Sequence, residues 1–424
     1  MATPEFKKGD RVKIIIDWSD VNQMFVAADT IGTVQISSKS EADKMQQIVS
    51  KQSSLDRSKS GGLPIPVTAE EWDFPNLEDP TAIHEHFQRT DKAWDFLRPS
   101  FASRGYVLYE KLKTSSDLVP VVESTQVSAV QVDPYGRRIY ESDNARMSHL
   151  APRVWAARDR LSRDVVIKLV SNESVASAEL KALEFLNSEP LRSDPRNHTI
   201  HVVEFLHLHN FVFAVMPRWD AAFDAEFDTV EEVTHCAHTF LEAFEFLHEH
   251  RICHLDFLAQ NAGYNVCISK GKSYAATGTR HPSETKYAVY DFGGAILYPE
   301  ETPLSITNPE WQTWGWRLRN IHVPTEPYSP FQFDMLALGL VLQRYVRVLF
   351  QELSMFPNPS DHTNFQHIEK IIPELGPFFD RMTDPTPSKN FTAKEALAEF
   401  RRIQSQLTPS QLSRRITTRL WRQG

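Results

Sequence analysis

Two spacings of apolar residues follow one another along this chain, and together they limit it to a fold with a strand-rich part before a helix-rich part. Residues 153–159 and 165–170 read as strands joined by a short Arg-Leu-Ser-Arg turn. Residues 174–186 read as a helix with Ala178, Leu183 and Leu186 inward, and 202–208 with 211–216 as the next hairpin. The rhythm then changes. Thr229 opens a capping box with Glu232, and Val233, Ala237, Phe240, Leu241, Phe244 and Leu247 follow at helical spacing. A second box, Thr392 with Glu395, opens a later helix. Between them, residues 335–350 are mostly apolar, as in a helix buried on nearly every side. The expected class is α+β.

With 424 residues the chain has room for two or three domains, or for one two-lobed enzyme carrying an extension. A net charge of −9 argues against nucleic acid as the main partner, because phosphate backbones reward basic surfaces. The three cysteines, Cys236, Cys253 and Cys267, give no disulfide framework and suit a reducing compartment. The first residues lack the apolar core of a secretion signal, and the longest apolar stretches, such as 211–216, are too short to cross a bilayer. The expectation is an intracellular protein of cytoplasm or nucleus, with no membrane partner.

Residues 1–36 hold two β-rich runs with glycine punctuation, suggesting a small β module, and the Ser/Lys-rich stretch 37–62 reads as a linker. Residues 63–144 form an extension that is rich in aromatic side chains from Pro64 to about Ser124, with a short helix expected near 83–96 and a strand at 106–109. Packing against the domain after it is the expected role of this extension. The polar stretch 268–286 reads as an inserted surface loop. From residue 400 onward there are six arginines and no acidic residue, so 406–424 reads as a basic, solvated, partly helical tail.

Chemistry concentrates in a few places. His254-Leu-Asp256-Phe-Leu-Ala-Gln-Asn261 directly follows the first capped helix. An aspartate with an asparagine five positions later is what phosphoryl transfer needs from one loop. Asp256 can accept the proton of an attacking hydroxyl, and the Asn261 amide oxygen can reach a metal held by nucleotide phosphates. Thirty residues on, Asp291-Phe292-Gly293 follows an apolar strand and offers a second metal-binding carboxylate. Upstream, Lys168 ends the run Val165-Val-Ile-Lys168 and needs an acidic partner. Glu179 fits the apolar pattern of the next helix best, with Glu184 as the runner-up.

In this order and spacing the set resembles the eukaryotic protein kinase family over about residues 145–405. Further segments are similar: Phe213-Ala-Val-Met216-Pro-Arg-Trp219 resembles the hinge between lobes, Asp334-Met-Leu-Ala-Leu-Gly339 the buried aspartate under the catalytic loop, and 382–397 the last characteristic stretch. Asp194-Pro-Arg-Asn-His198, Leu247-His-Glu-His250 and Pro327-Tyr-Ser-Pro-Phe331 look most like divergent kinases abundant in mushroom-forming fungi. The resemblance implies a bilobal fold with a small β-rich lobe and a mainly helical one. It also implies ATP and Mg²⁺ as partners, a protein substrate with a Ser or Thr hydroxyl, Met216 as gatekeeper and the Trp219 backbone against adenine.

The chain departs from the family in four places. No glycine occurs between Gly136 and Gly263, so residues 147–154 carry side chains where bare backbone usually covers the phosphates. Leu255 replaces the catalytic-loop arginine, and Leu258 its usual lysine. Asn390 stands where a late arginine is expected, and neither Glu326 nor Glu310 suits as its glutamate partner. The retained Lys168, Asp256, Asn261 and Asp291 favour an enzyme, while the missing glycines favour a pseudokinase acting as a binding or scaffolding module. A kinase of small alcohols is the third reading. The histidine pairs at 84/86, 207/209 and 248/250 read as solvated or packing residues, since Ile252 stands where a zinc helix would need its second histidine.

Overall fold

The structure, a computed structural model, describes residues 65–73, 79–121, 133–139, 145–223, 227–268, 279–307, 329–347, 368–384, 386 and 389–416. The β module and the linker expected over 1–62 lie outside them. Helix α1 (Pro80–Arg104) comes first. Asp79 caps it by accepting from the Thr81 and Ala82 amides, and Gly105 ends it in the left-handed conformation at φ 93°. Its buried residues Ile83, His86, Thr90, Ala93, Trp94, Leu97 and Phe101 form one stripe. Because that stripe runs on to Phe101, the helix continues through Pro99 and exceeds the short segment expected.

Strands β1 (Val107–Leu108), β2 (Glu110–Lys111), β3 (Asp117–Val119), β4 (Arg137–Ile139), β5 (Met147–Ser148), β6 (Val154–Arg158) and β7 (Asp164–Asn172) follow. Helix α2 (Ala178–Leu186) starts later than residue 174, because Ser171 Oγ engages Val175 O and Ser177 N, leaving Ser177 as the cap. Next come β8 (Glu204–Leu208) and β9 (Phe211–Pro217), joined by His209 and Asn210 at φ 52° and 68°. Left-handed residues at both turn positions match the twist of a tight hairpin.

The main sheet runs β1-β6-β7-β9-β8, and each neighbouring pair is antiparallel. Both faces are covered, so β9 is buried along its whole length. Phe211, Phe213 and Val215 pack with Trp94, Phe101 and Trp155, while Val212, Ala214 and Met216 join a second core beneath α2. The edge strand β1 comes from within 63–144, so that stretch contributes to the sheet as well as covering it.

The later part contains β10 (Asp220–Ala221), α3 (Val230–Glu249), β11 (Ile252–Cys253), β12 (Ala262–Tyr264), β13 (Val266–Ile268), β14 (Tyr287–Val289), β15 (Ile296–Leu297), α4 (Pro330–Leu342), α5 (Leu375–Met382) and α6 (Ala393–Ser405). All six apolar positions expected inward on α3 are buried. Thr229 caps it through Glu232 N–H, but the Glu232 carboxylate accepts from Asp228 N at 2.6 Å. The second box, at Thr392 and Glu395, is complete. The helix expected from 335 begins at Pro330 and passes into a π turn at Gln343–Arg347.

Among the described residues, parts of two polar stretches are more embedded than their composition suggests. Within 268–286, Arg280 is fully buried, 4.3 Å from the Phe227 ring and 4.4 Å from that of Tyr264. The start of the basic tail docks on α3, where Ile416 N–H donates to Asp228 O and Val230 N–H to Arg414 O. A mixed architecture of antiparallel sheet followed by helices, compatible with α+β, results. No helix among the described residues is long and apolar enough to cross a membrane.

Candidate active site

Alternation along β7 decides where Lys168 points. Ile167 and Leu169 face α1, so Lys168 faces the opposite core, beneath α2. There its Nζ lies 2.5 Å from Glu179 Oε1 and 2.7 Å from Asp291 Oδ1. Glu179 occupies the first turn of α2 and is buried, whereas Glu184 is exposed on the other side. Of the two glutamates, Glu179, the one the apolar pattern ranks first, is the residue that meets Lys168.

Burial opposes the charge of Lys168, yet Asp291 and Glu179 outweigh it and hold the ammonium above its ordinary range. Burial would likewise raise Asp291, but Lys168 prevails and brings its carboxyl down to about 2. Glu179 behaves differently: burial dominates over the pull of Lys168, and its carboxyl sits above the usual range. The Asp291 side chain is 42% exposed, so its ion pair is screened by solvent. Asp291 sits at φ 66°, in the left-handed region, and caps the turn Phe292–Gly294 by accepting from Gly293 N–H. A Cβ on Gly293 would lie only 3.1 Å from Asp291 Oδ1, so a side chain there would crowd the carboxylate.

Asp256 and Asn261 stand on the loop after β11. Asn261 Nδ2 donates to Asp256 O at 2.7 Å, which fixes the amide and orients its oxygen away from that bond. Asp334, fully buried in α4, accepts from the His254 amide at 2.8 Å and the Leu255 amide at 2.7 Å. Leu255 is held at φ 61°, with its side chain in the core. His248 Nε2 lies 3.1 Å from the same carboxylate. The spacing of His248 along α3 places it among the packing histidines and carries no sign of this partner on α4.

His254 joins this loop to the one bearing Asp291. The Asp256 amide donates to His254 Nδ1 at 3.2 Å, so Nε2 carries the proton that reaches Tyr290 O at 3.1 Å. Tyr290 N–H in turn donates to Asn261 O at 3.1 Å, continuing the β12–β14 pairing. The loops carrying Asp256, Asn261 and Asp291 are therefore fixed side by side. Met216, on β9 opposite Val166, is buried at the edge of the same core. Trp219 follows on the connection to β10, its indole N–H donating to Pro134 O at 2.8 Å.

No group of three or more His, Cys, Asp or Glu side chains able to hold a metal ion occurs among the described residues. The donors left at this site are oxygens. Asp291 Oδ1 is engaged by Lys168 and Gly293, and Asn261 Nδ2 by Asp256, so Asp291 Oδ2 and the Asn261 amide oxygen are the ligands a hard cation would meet. The chain matches no protein-family model and no curated protein.

Proposed function

We propose that the chain is a bilobal protein kinase that transfers the γ-phosphate of ATP to a protein hydroxyl, Ser or Thr by its resemblance. The observation that carries this reading is the double contact of Lys168 with Glu179 and Asp291, groups drawn from β7, α2 and a loop 123 positions away. A lysine buried between two carboxylates for stability alone would be costly. One held between them beside an exposed carboxylate edge suits a site where phosphates enter.

In this reading Lys168, fixed by Glu179, pairs with nucleotide phosphates. The backbone between Met216 and Trp219 faces adenine. Asp291 and Asn261 hold Mg²⁺, which when bound neutralises charge on the phosphates. Asp256, positioned through His254 and Asn261, accepts the proton of the attacking hydroxyl. Three buried, free cysteines fit work inside the cell.

Phosphate transfer from labelled ATP with Mg²⁺, to the chain itself and to a mixed peptide pool, tests the proposal beside an Asp256→Asn control. Incorporation that falls by about a thousandfold or more in the control is the expected result. Equal background in both would overturn catalysis and favour a pseudokinase. Transfer to small alcohols but to no peptide would favour the third reading.

A further inference from the structure

The glycine-free segment 147–154 is held from behind by the helix that precedes the sheet. His149 is 2% exposed, and its Nε2 lies 3.0 Å from Asp91 Oδ1 on α1. Its ring packs 4.6 Å from Trp155 and 5.1 Å from Phe87. The His149 amide donates to Ser116 O at 2.8 Å. On the other side of the turn, Trp94 Nε1 donates to Pro152 O at 2.8 Å, and Arg153 pairs with Asp73 at 2.6 Å. Asp91 is itself anchored by Lys111 at 2.7 Å. Between these pins Leu150 and Ala151 are exposed, and their amides donate to nothing among the described residues.

The pinned segment ends at the candidate site. Val154 stands opposite Lys168 in the β6–β7 pairing, and Arg153 O accepts from Leu169 N at 2.9 Å. A glycine-rich cover owes its close approach to the absence of side chains, and it loses backbone freedom when a ligand orders it. Here buried contacts have already removed that freedom.

We propose that residues 69–73 and helix α1 form a positioning element, holding 149–153 as a fixed cover over the nucleotide phosphates in place of a glycine-rich one. This rests on the kinase reading. Pre-ordering by Asp91, Trp94 and Asp73 offsets the lost approach, because the ligand no longer has to order the cover. Nucleotide affinity then depends on side chains remote from the nucleotide, Trp94 lying 58 positions before its partner Pro152.

The test combines amide hydrogen exchange with binding of a non-hydrolysable ATP analogue plus Mg²⁺, for the full chain, Asp91→Ala and Asp73→Ala. Asp73 has a side chain 61% exposed, so its variant keeps the fold even where Asp91→Ala weakens it. Exchange at the His149 and Val154 amides should rise about tenfold in Asp91→Ala, and less in Asp73→Ala, with α3 amides unchanged. Affinity for the analogue should fall about tenfold in the first and less in the second. Unchanged exchange at those amides overturns the clamp, and faster exchange with unchanged affinity shows a purely structural contact and overturns the cover. Failure of the parent chain itself to bind the analogue removes the kinase reading and this proposal together, an outcome visible before any variant is made.

Discussion

Asp334 carries more of the site's geometry than any residue that would touch substrate. Its carboxylate takes the His254 and Leu255 amides, with His248 beside it, in a place without solvent. Those bonds offset the cost of keeping Leu255 at a positive φ. Asp334→Ala leaves two buried amides unpaired at about 1–3 kcal/mol each, so a loss of about 2–6 kcal/mol is expected in urea unfolding. A loss below about 1 kcal/mol would show that the loop holds its shape by packing alone. At this scale much was legible. Lys168, Asp256, Asn261 and Asp291 stand out by chemical type and order, and the apolar pattern ranks Glu179 before Glu184, but the contact of Glu179 with Lys168 appears only once β7 and α2 are placed.

Among the elements, α1 and the segment it holds have a built-in pH response. Burial pushes the His149 imidazole below its ordinary pKa, against the pull of Asp91. A histidine kept neutral in the fold but free to protonate when unfolded contributes no penalty above its unfolded value, about 6.5. As pH falls below that value the unfolded chain gains the proton first, and stability declines by up to about 1.4 kcal/mol per pH unit. The parent should therefore unfold at lower urea at pH 5.5 than at 7.5, and His149→Gln should flatten that difference. An unchanged pH dependence in the variant would assign the effect to other groups. Element type was readable from spacing, while ends were not: the Phe101 contact prolongs α1, and the Ser171–Ser177 bonds delay α2.

Across the whole molecule, the stretch from β1 to β5 ties the main sheet to the later part of the chain. β1 pairs with β6, and β4 pairs in parallel with β13. Where they meet, Asp164 accepts from Arg158 and Arg138, each at 2.8 Å, and from the Tyr109 hydroxyl at 2.5 Å. Burial would raise the Asp164 carboxyl, but Arg158, Arg138 and Arg218 outweigh it and keep it below its usual range. Asp164→Ala takes away the carboxylate paired with the nearly fully buried Arg158, at an expected cost of about 3–5 kcal/mol. Adding Arg158→Met should recover part of that loss, because an apolar side chain leaves no uncompensated charge. A double variant less stable than the single one would show that the arginine is held by other contacts.

The sequence alone determined the elements and the chemical inventory: short-range spacing sets strand or helix, and the ordered set of Lys, Asp and Asn supplies the groups that the proposed phosphate chemistry would use. Tertiary structure decided what those residues touch. Arg280 reads as a solvated charge in a polar loop, yet it lies between the Phe227 and Tyr264 rings, because cation–π contact lets an arginine enter a core. His149 and Asp91 sit 58 positions apart, and nothing local links them. Their pairing exists only because α1 lies across the sheet face that its own apolar stripe requires it to cover.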